Sequence, residues 1–128
     1  MHLLLDTHVL LWAAGTPDRL TSQAVVLLQD PENQLVFSAA SIWEITIKQG
    51  LGRSDFQVQP EVLRRGLVEN GYSELAITST HVMVVGHLPG IHNDPFDRIL
   101  VAQAMTEGVL LLTADDVVVK YPGPIRRI

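Results

Sequence analysis

The sequence predicts an α/β fold of three layers, in which helices cover both faces of a central, mostly parallel β-sheet. Short apolar segments alternate with longer amphipathic segments along the 128 residues, as in folds built from parallel strands and crossover helices. The short segments are apolar throughout, which is typical of strands buried on both faces. A chain of this length, 47% hydrophobic, is expected to form one domain over residues 1–128.

The predicted strands are the short apolar segments. They comprise residues 2–5, 34–37, 74–77 and 109–113, with a weaker fifth strand at 117–119. The second strand follows the turn-forming sequence Asp30-Pro31-Glu32-Asn33, in which proline, asparagine and aspartate favour a reversal of the chain. These boundaries leave room for a crossover helix between most pairs of strands.

The predicted helices have apolar residues at helical spacing and recognisable ends. They comprise residues 7–14, 21–29, 39–50, 60–71, 79–87 and 95–107. Thr21 or Ser22 is available as a cap for the second helix, and Pro60 suits the first turn of the fourth. Asp94 precedes Pro95 as an N-cap, and Gly108 ends the last helix.

Composition limits the possible functions. A net charge of −5 argues against a protein that binds nucleic acid through surface charge alone. The absence of cysteine excludes disulfides and thiolate metal sites. The N-terminus lacks the features of a signal peptide, and no stretch approaches the roughly 18 apolar residues of a membrane span, so a soluble cytoplasmic protein without a membrane partner is expected.

Four acidic residues lie where apolar segments end or in the helices beside them. Asp6 and Asp115 follow predicted strands, Glu44 comes two helical turns after the second strand, and Asp97 lies in the first turn of the last helix. The carboxyl ends of parallel strands meet at one edge of a sheet, where functional sites form. Carboxylates gathered there would repel one another unless a cation joined them. The sequence therefore predicts a hard-metal site, for Mg²⁺ or Mn²⁺, and metal-assisted hydrolysis of a phosphodiester.

Each acid also has a local explanation. Asp6 could cap the helix that begins at Thr7. Glu44 could pair with Lys48 or complete a capping box with Ser41. Asp97 would favour the dipole of its helix, and Asp115 could be an ordinary turn residue. All four acids are expected near one edge of the sheet, and independent capping would not require them to lie together. This coincidence favours a metal site.

Four motifs, in the same order along the chain, resemble those of PIN-domain proteins of the VapC toxin type. They are Leu4-Leu5-Asp6-Thr7-His8-Val9-Leu10-Leu11-Trp12, Ser41-Ile42-Trp43-Glu44-Ile45 followed by Lys48 and Leu51-Gly52-Arg53, His92-Asn93-Asp94-Pro95-Phe96-Asp97-Arg98, and Leu112-Thr113-Ala114-Asp115. The resemblance covers essentially the whole chain. Each motif alone is weak, but four in register are specific.

The resemblance implies a PIN-like fold and the activity of a Mg²⁺-dependent endoribonuclease, with Mn²⁺ as a substitute ion. It implies an RNA substrate and a VapB-type antitoxin. A homodimer is predicted from the helices, whose apolar surfaces exceed what one small core needs and can form a dimer contact or an antitoxin groove; these surfaces carry Leu10, Leu11, Trp12, Ile42, Trp43 and Ile47. The resemblance places the metal-binding and catalytic acids at Asp6, Glu44, Asp97 and Asp115, with Asp116 as an alternative fourth position. Asp94 is interpreted as structural.

Several residues near these acids each have two alternative roles. Thr113 could hydrogen-bond one of the carboxylates, and Lys48, Arg53 and Arg98 could contact RNA phosphates or be solvated surface charges. A histidine acid–base pair could cleave RNA without metal, but the five histidines show no metal-binding or paired spacing. Trp12 and Trp43 could stack on bases, although burial or an interface fits their apolar helices better.

Three other functions are considered. A phosphoacceptor receiver domain needs an acidic pair after the first strand and an aspartate after a middle strand, but Asp6-Thr7-His8 and Ser38-Ala39-Ala40 stand there. A haloacid-dehalogenase-type phosphatase would have an acid where His8 stands. A catalytically inactive binding module on a PIN scaffold remains an alternative, although all four acids are present.

Overall fold

The fold, described for residues 1–128 by a computed structural model, is a sheet of five parallel strands between two layers of helices. The strands are β1 (His2–Leu5), β2 (Gln34–Ser38), β3 (Ser73–Leu75), β4 (Leu110–Thr113) and β5 (Ile125–Arg127). They lie in the order β3-β2-β1-β4-β5, and every neighbouring pair is parallel. The predicted α/β/α class is confirmed. The order also differs from the 2-1-3-4-5 order of receiver domains, which removes that alternative.

Six helices connect and cover the strands. They are α1 (Thr7–Gly15), α2 (Ser22–Gln29), α3 (Ala39–Gly50), α4 (Pro60–Glu69), α5 (Ser79–Val85) and α6 (Pro95–Glu107). Side chains alternate across β1, so that Leu4 enters the hydrophobic core formed with α6 while Leu3 and Leu5 enter the core formed with α1 and α4. The two cores, one on each face of the sheet, account for the apolar strands. No helix has the length and apolar character needed to cross a membrane.

The parallel register brings the carboxyl ends of β1 and β4 together at one edge of the sheet. The β1–β4 pairing ends with Leu5 opposite Leu112, and the backbone N–H of Asp6 then donates to the carbonyl of Leu112 at 3.0 Å. The carboxyl ends of these central strands therefore meet. Because α1 and α3 follow β1 and β2 directly, both helices start at this edge.

One predicted strand is wrong. Residues 117–119 do not form a strand, because Val118–Lys120 is a 3₁₀ helix and Val118 is buried in the core. The Asp115 carboxylate accepts the backbone N–H groups of Val117 and Val118 at 2.7 and 3.3 Å, and this caps a helical turn where a β-branched run favoured a strand. The fifth strand is instead β5, at the sheet edge beside β4.

Other boundaries shift by a few residues. The predicted helices at 60–71 and 79–87 end earlier, at Glu69 and Val85, whereas the boundaries predicted for α3 and α6 are confirmed. Asp94 caps α6 as predicted, since its Oδ1 accepts the backbone N–H of Phe96 at 2.9 Å. Gly108 ends the helix in the left-handed conformation, with φ at 67°, which glycine adopts without strain.

Candidate functional site

Asp6 is held between two elements at the edge of the sheet. Its Oδ1 accepts the backbone N–H of Val9 at 2.9 Å, so the predicted cap of α1 is present. Its Oδ2 accepts the hydroxyl of Thr113 at 2.5 Å, which confirms the hydrogen bond expected of that threonine. Burial raises the pKa of Asp6 despite these two hydrogen bonds, because little water reaches the carboxylate.

Glu44 lies on α3 and is only 7% exposed. Its Oε2 pairs with Lys48 Nζ at 3.0 Å, as the i,i+4 alternative predicted. Its Oε1 is buried and has no hydrogen-bond partner. The alternative capping box with Ser41 is wrong: Ser38 caps α3, and the Ser41 hydroxyl accepts a hydrogen bond from Thr7. A buried carboxylate oxygen without a partner is costly, which makes this atom an available ligand.

Asp97 lies in the first turn of α6. Burial raises its pKa to about 7, with further increases from the charges of Asp94, Asp6 and Glu44, while His92 lowers it. These contributions show that the carboxylates predicted to gather are close enough to repel one another. The ionised form of Asp97 is therefore disfavoured both by burial and by the neighbouring negative charges.

Asp115 follows β4 and completes the acidic edge. Its backbone N–H donates to the hydroxyl of Thr113 at 3.0 Å, so one threonine contacts both Asp6 and the Asp115 segment. The neighbouring Asp116 is exposed and pairs with Arg127 at 3.0 Å. The structure thus gives the two adjacent aspartates different environments, with Asp115 at the cluster.

His92 was not among the predicted site residues. Its Nε2 lies 3.1 Å from Asp97 Oδ2 and 3.7 Å from Asp115 Oδ2. One potential ligand atom from each of these three residues lies within 4.8 Å of the others. The only indication in the sequence was that His92 opens the same motif as Asp97, because its loop position depends on contacts distant along the chain.

Arg98, considered for a phosphate contact or a solvated surface charge, forms hydrogen bonds within the protein. Its guanidinium turns inward and donates to the carbonyls of Val85 and Pro89, at 2.9 and 3.0 Å. These carbonyls lie where α5 ends and the next loop begins, and each also accepts a backbone N–H, from Leu88 and Ile91 respectively, so the arginine adds a second hydrogen bond to each. Arg53 pairs with exposed Asp55 at 2.7 Å and lies on the surface.

The remaining histidine and tryptophan predictions have separate outcomes. His81 is fully buried, where its ring contacts Glu107 at 3.0 Å and caps the start of α5, which is a structural role. Trp43 is 58% exposed and packs edge-on against Phe96, with ring centroids 5.0 Å apart. Trp43 is therefore not buried, which leaves an interface or the stacking of bases as its role.

The donor set fits a hard divalent cation. Asp97 and Asp115 lie with His92 within 4.8 Å of one another, and the nearly buried carboxylates of Asp6 and Glu44 lie outside that group of three. The unpartnered Glu44 oxygen and the raised pKa of Asp97 are both consequences of concentrating negative charge in a place with little water. A cation at this edge would give the Glu44 oxygen a partner and would offset the negative charge around Asp97. Oxygen donors suit Mg²⁺ or Mn²⁺.

Comparison with known proteins agrees with this architecture. The family model of the PIN domain matches residues 3–124. A chain in the crystal structure of VapBC2 from Rickettsia felis bound to a fragment of its promoter DNA aligns with a TM-score of 0.73 at 13% identity, covering 100% of this chain and 99% of that one.

Two further solved structures are similar. A chain of DNA-bound VapBC from Salmonella typhimurium aligns with a TM-score of 0.67 at 13% identity, over 99% of this chain and 98% of that one. A chain of VapBC-1 from nontypeable Haemophilus influenzae aligns with a TM-score of 0.61 at 20% identity, over 90% and 87%. Among curated proteins, none matches this sequence significantly. At these identities the solved structures show a shared fold.

Proposed function

This chain belongs to the PIN domain family, and on that premise we propose that it is a Mg²⁺-dependent endoribonuclease that acts as the toxin of a toxin–antitoxin pair. The observation that supports the proposal is the acidic edge, where the charges of Asp6 and Glu44 act on Asp97 and a buried Glu44 oxygen lacks a partner. We expect the protein to act in the cytoplasm, where its RNA substrate is found.

In this proposal Asp6, Glu44, Asp97 and Asp115 hold the ion, with Mn²⁺ as a substitute. A bound divalent ion makes a coordinated water easier to deprotonate and offsets the negative charge that develops on the phosphate during hydrolysis. The assignment of Asp115 rather than Asp116 is supported by the exposed ion pair that Asp116 forms with Arg127.

The protein's contribution is to hold these oxygens in place before the ion and the RNA arrive. Thr113 and the N–H of Val9 fix both oxygens of Asp6. Lys48 holds one oxygen of Glu44 and leaves the other free. Fixed carboxylates reduce the reorganisation needed for ion binding and for reaction.

The same acids make RNA binding depend on the ion. A phosphodiester that approaches ionised carboxylates is repelled, and the nearby cation Lys48 is already paired with Glu44. The substrate phosphate can therefore approach only when a divalent ion has neutralised the edge. This dependence makes removal of metal a direct test of where the substrate binds.

The antitoxin partner is supported by the likeness to chains of VapBC structures and by an apolar groove. The groove lies between the C-terminal end of α1 and the helix α4, and its apolar lining includes Leu11, Leu35, Val62 and Leu63. An amphipathic segment of a VapB-type antitoxin would bury this lining in the helix-in-groove mode. An antitoxin arginine or lysine could also reach the acidic edge and compete with the ion.

The homodimer is supported by a different surface, an apolar stripe along α3. Trp43, Ile47 and Leu51 are spaced four residues apart and are 58%, 44% and 65% exposed. This spacing places Trp43 and Ile47 on one face of α3, with Leu51 next to them at its C-cap, and such an exposed apolar face is typical of an interaction surface. Leu10, which the sequence grouped with these surface residues, is instead fully buried.

The test is cleavage of RNA by the purified protein with Mg²⁺ and with EDTA. We expect cleavage by the wild type only with Mg²⁺, and loss of at least about 100-fold in D6N and D97N, since each removes one charged ligand. The matched control D116N, which removes an adjacent carboxylate outside the cluster, should cleave at the wild-type rate. A folded wild-type protein that binds RNA but does not cleave it with Mg²⁺ or Mn²⁺ would instead indicate the inactive binding module.

A further inference from the structure

His92 lies in the loop between α5 and α6 and bridges two acids from different parts of the chain. Its Nε2 is within hydrogen-bond distance of Asp97, on α6, at 3.1 Å, and is 3.7 Å from Asp115, which follows β4. The side chain is about one-fifth exposed. An imidazole in this place could either bind the ion directly or donate a hydrogen bond to a carboxylate.

The other ring nitrogen distinguishes these two roles. The backbone N–H of Asp94 donates to His92 Nδ1 at 3.1 Å, so Nδ1 must carry a lone pair. In the neutral ring the proton is then on Nε2, where it faces Asp97 and Asp115. A histidine that binds metal through one nitrogen normally donates a proton from the other, which is the reverse of this arrangement.

The loop that carries His92 is held by a buried tyrosine. The hydroxyl of Tyr121 accepts the backbone N–H of His92 at 2.8 Å and donates to its carbonyl at 3.3 Å. Arg98 donates to the same hydroxyl at 3.0 Å and thereby connects the loop to α6. Because these contacts fix the main chain on both sides of the ring, the direction of Nε2–H is built into the fold.

We propose that His92 is a positioning residue, which presents its Nε2–H to Asp97, with Asp115 close beside it, and does not bind the ion. This inference deepens the proposed function and rests on it. The polar Nε2–H offsets negative charge where the carboxylates of Asp97 and Asp115 approach each other, and leaves their remaining oxygens free for the cation. It also keeps the ligand set all-oxygen, which favours Mg²⁺ and Mn²⁺ over the ions that prefer imidazole, such as Zn²⁺.

The first measurement is the tautomer of His92 by long-range ¹H–¹⁵N NMR of the wild-type protein. We expect an unprotonated Nδ1 and a protonated Nε2 without metal, and the same pattern after Mg²⁺ is added. Conversion to the Nδ1–H form on addition of Mg²⁺ would show that Nε2 binds the ion and would overturn the proposal. This measurement needs no variant and no activity.

The second measurement is the affinity for Mn²⁺ by electron paramagnetic resonance, compared among three variants. His92→Leu removes the donor and should weaken Mn²⁺ binding by about 10-fold or more. His92→Gln can place an amide N–H near the position of Nε2 and should recover most of the affinity. His87→Leu, at an exposed histidine outside the cluster, is the matched control and should bind as the wild type does.

The outcomes separate this inference from the proposed function. Wild-type affinity in folded His92→Leu, or no rescue by glutamine, would overturn the positioning role. If the tautomer and the affinities behave as expected but the wild-type protein cleaves no RNA, the ribonuclease proposal fails while the role of His92 at a cation site stands. If His92→Leu does not fold, the glutamine variant and the wild-type tautomer still decide the question.

Discussion

Replacing Asp97 with asparagine should stabilise the metal-free protein at neutral and alkaline pH. The pKa of Asp97 is raised from its ordinary 3.8 to about 7, so the folded protein holds this proton more tightly than the unfolded chain does. Between pH 4 and 7 the unfolded chain has lost the proton and the folded protein has not. The free energy of unfolding therefore falls as the pH rises through this window, and the full penalty is present above pH 7.

The size of the penalty follows from the pKa shift. A shift of this size corresponds to roughly 4 kcal/mol at about 1.4 kcal/mol per pKa unit. The side chain is 18% exposed, so solvent screens part of this energy and we expect about 2 kcal/mol to be realised. D97N removes the penalty because asparagine never ionises. The variant should thus be about 2 kcal/mol more stable than the wild type at pH 8.

Urea denaturation in EDTA at pH 4 and pH 8 tests this reasoning. At pH 4 the wild-type carboxyl is protonated in the folded state, and the two proteins should differ by less than about 0.5 kcal/mol from this cause. D116N, whose carboxylate is exposed, should show no such pH-dependent gain. A D97N protein that is no more stable than the wild type at pH 8, or a gain of equal size at both pH values, would refute the electrostatic argument.

Three further predictions concern other contacts of the site and the two proposed interaction surfaces. Addition of Mg²⁺ at about 100 times its dissociation constant should stabilise the wild type by about 2.7 kcal/mol and D97N by much less, as thermal unfolding would show. Thr113→Val removes the hydroxyl that Asp6 accepts and should lower the free energy of unfolding by about 1–3 kcal/mol in urea titrations, whereas Thr113→Ser should retain most of it. Ile47→Asp should convert a homodimer to a monomer in light scattering and leave binding of the antitoxin groove intact; a dimer that persists would exclude the α3 stripe as the interface.

The central part of the fold could be predicted because local and tertiary preferences agree there. The apolar runs of β1 and β4 have no stable place except between two helical layers, and α6 has both a cap and a terminating glycine. β5 could not be found by the same pattern, because Arg126 and Arg127 are exposed at the sheet edge and only Ile125 contacts the core. An edge strand needs little apolar character when a neighbouring strand supplies its hydrogen bonds.

The acidic edge could be predicted, but its immediate surroundings could not. Strand ends of a parallel sheet must share an edge, so the positions of Asp6 and Asp115 follow from topology. The place of His92 depends on a hydrogen bond from Tyr121, 29 residues away, and nothing in the local sequence specifies that contact. The inward direction of Arg98 depends in the same way on contacts distant along the chain, with the carbonyl of Val85 and the hydroxyl of Tyr121.

The ends of the RNA fragments, determined by mass spectrometry, test the central claim most directly. Hydrolysis by water at a divalent-ion site should leave a 5′-phosphate and a 3′-hydroxyl, only with Mg²⁺ or Mn²⁺, and no fragments should form in EDTA. Cleavage by a histidine acid–base pair would instead use the RNA 2′-hydroxyl and leave a cyclic phosphate. Cyclic-phosphate ends that persist in EDTA would contradict the account, because the carboxylates of Asp6 and Asp97 would then have no part in the reaction.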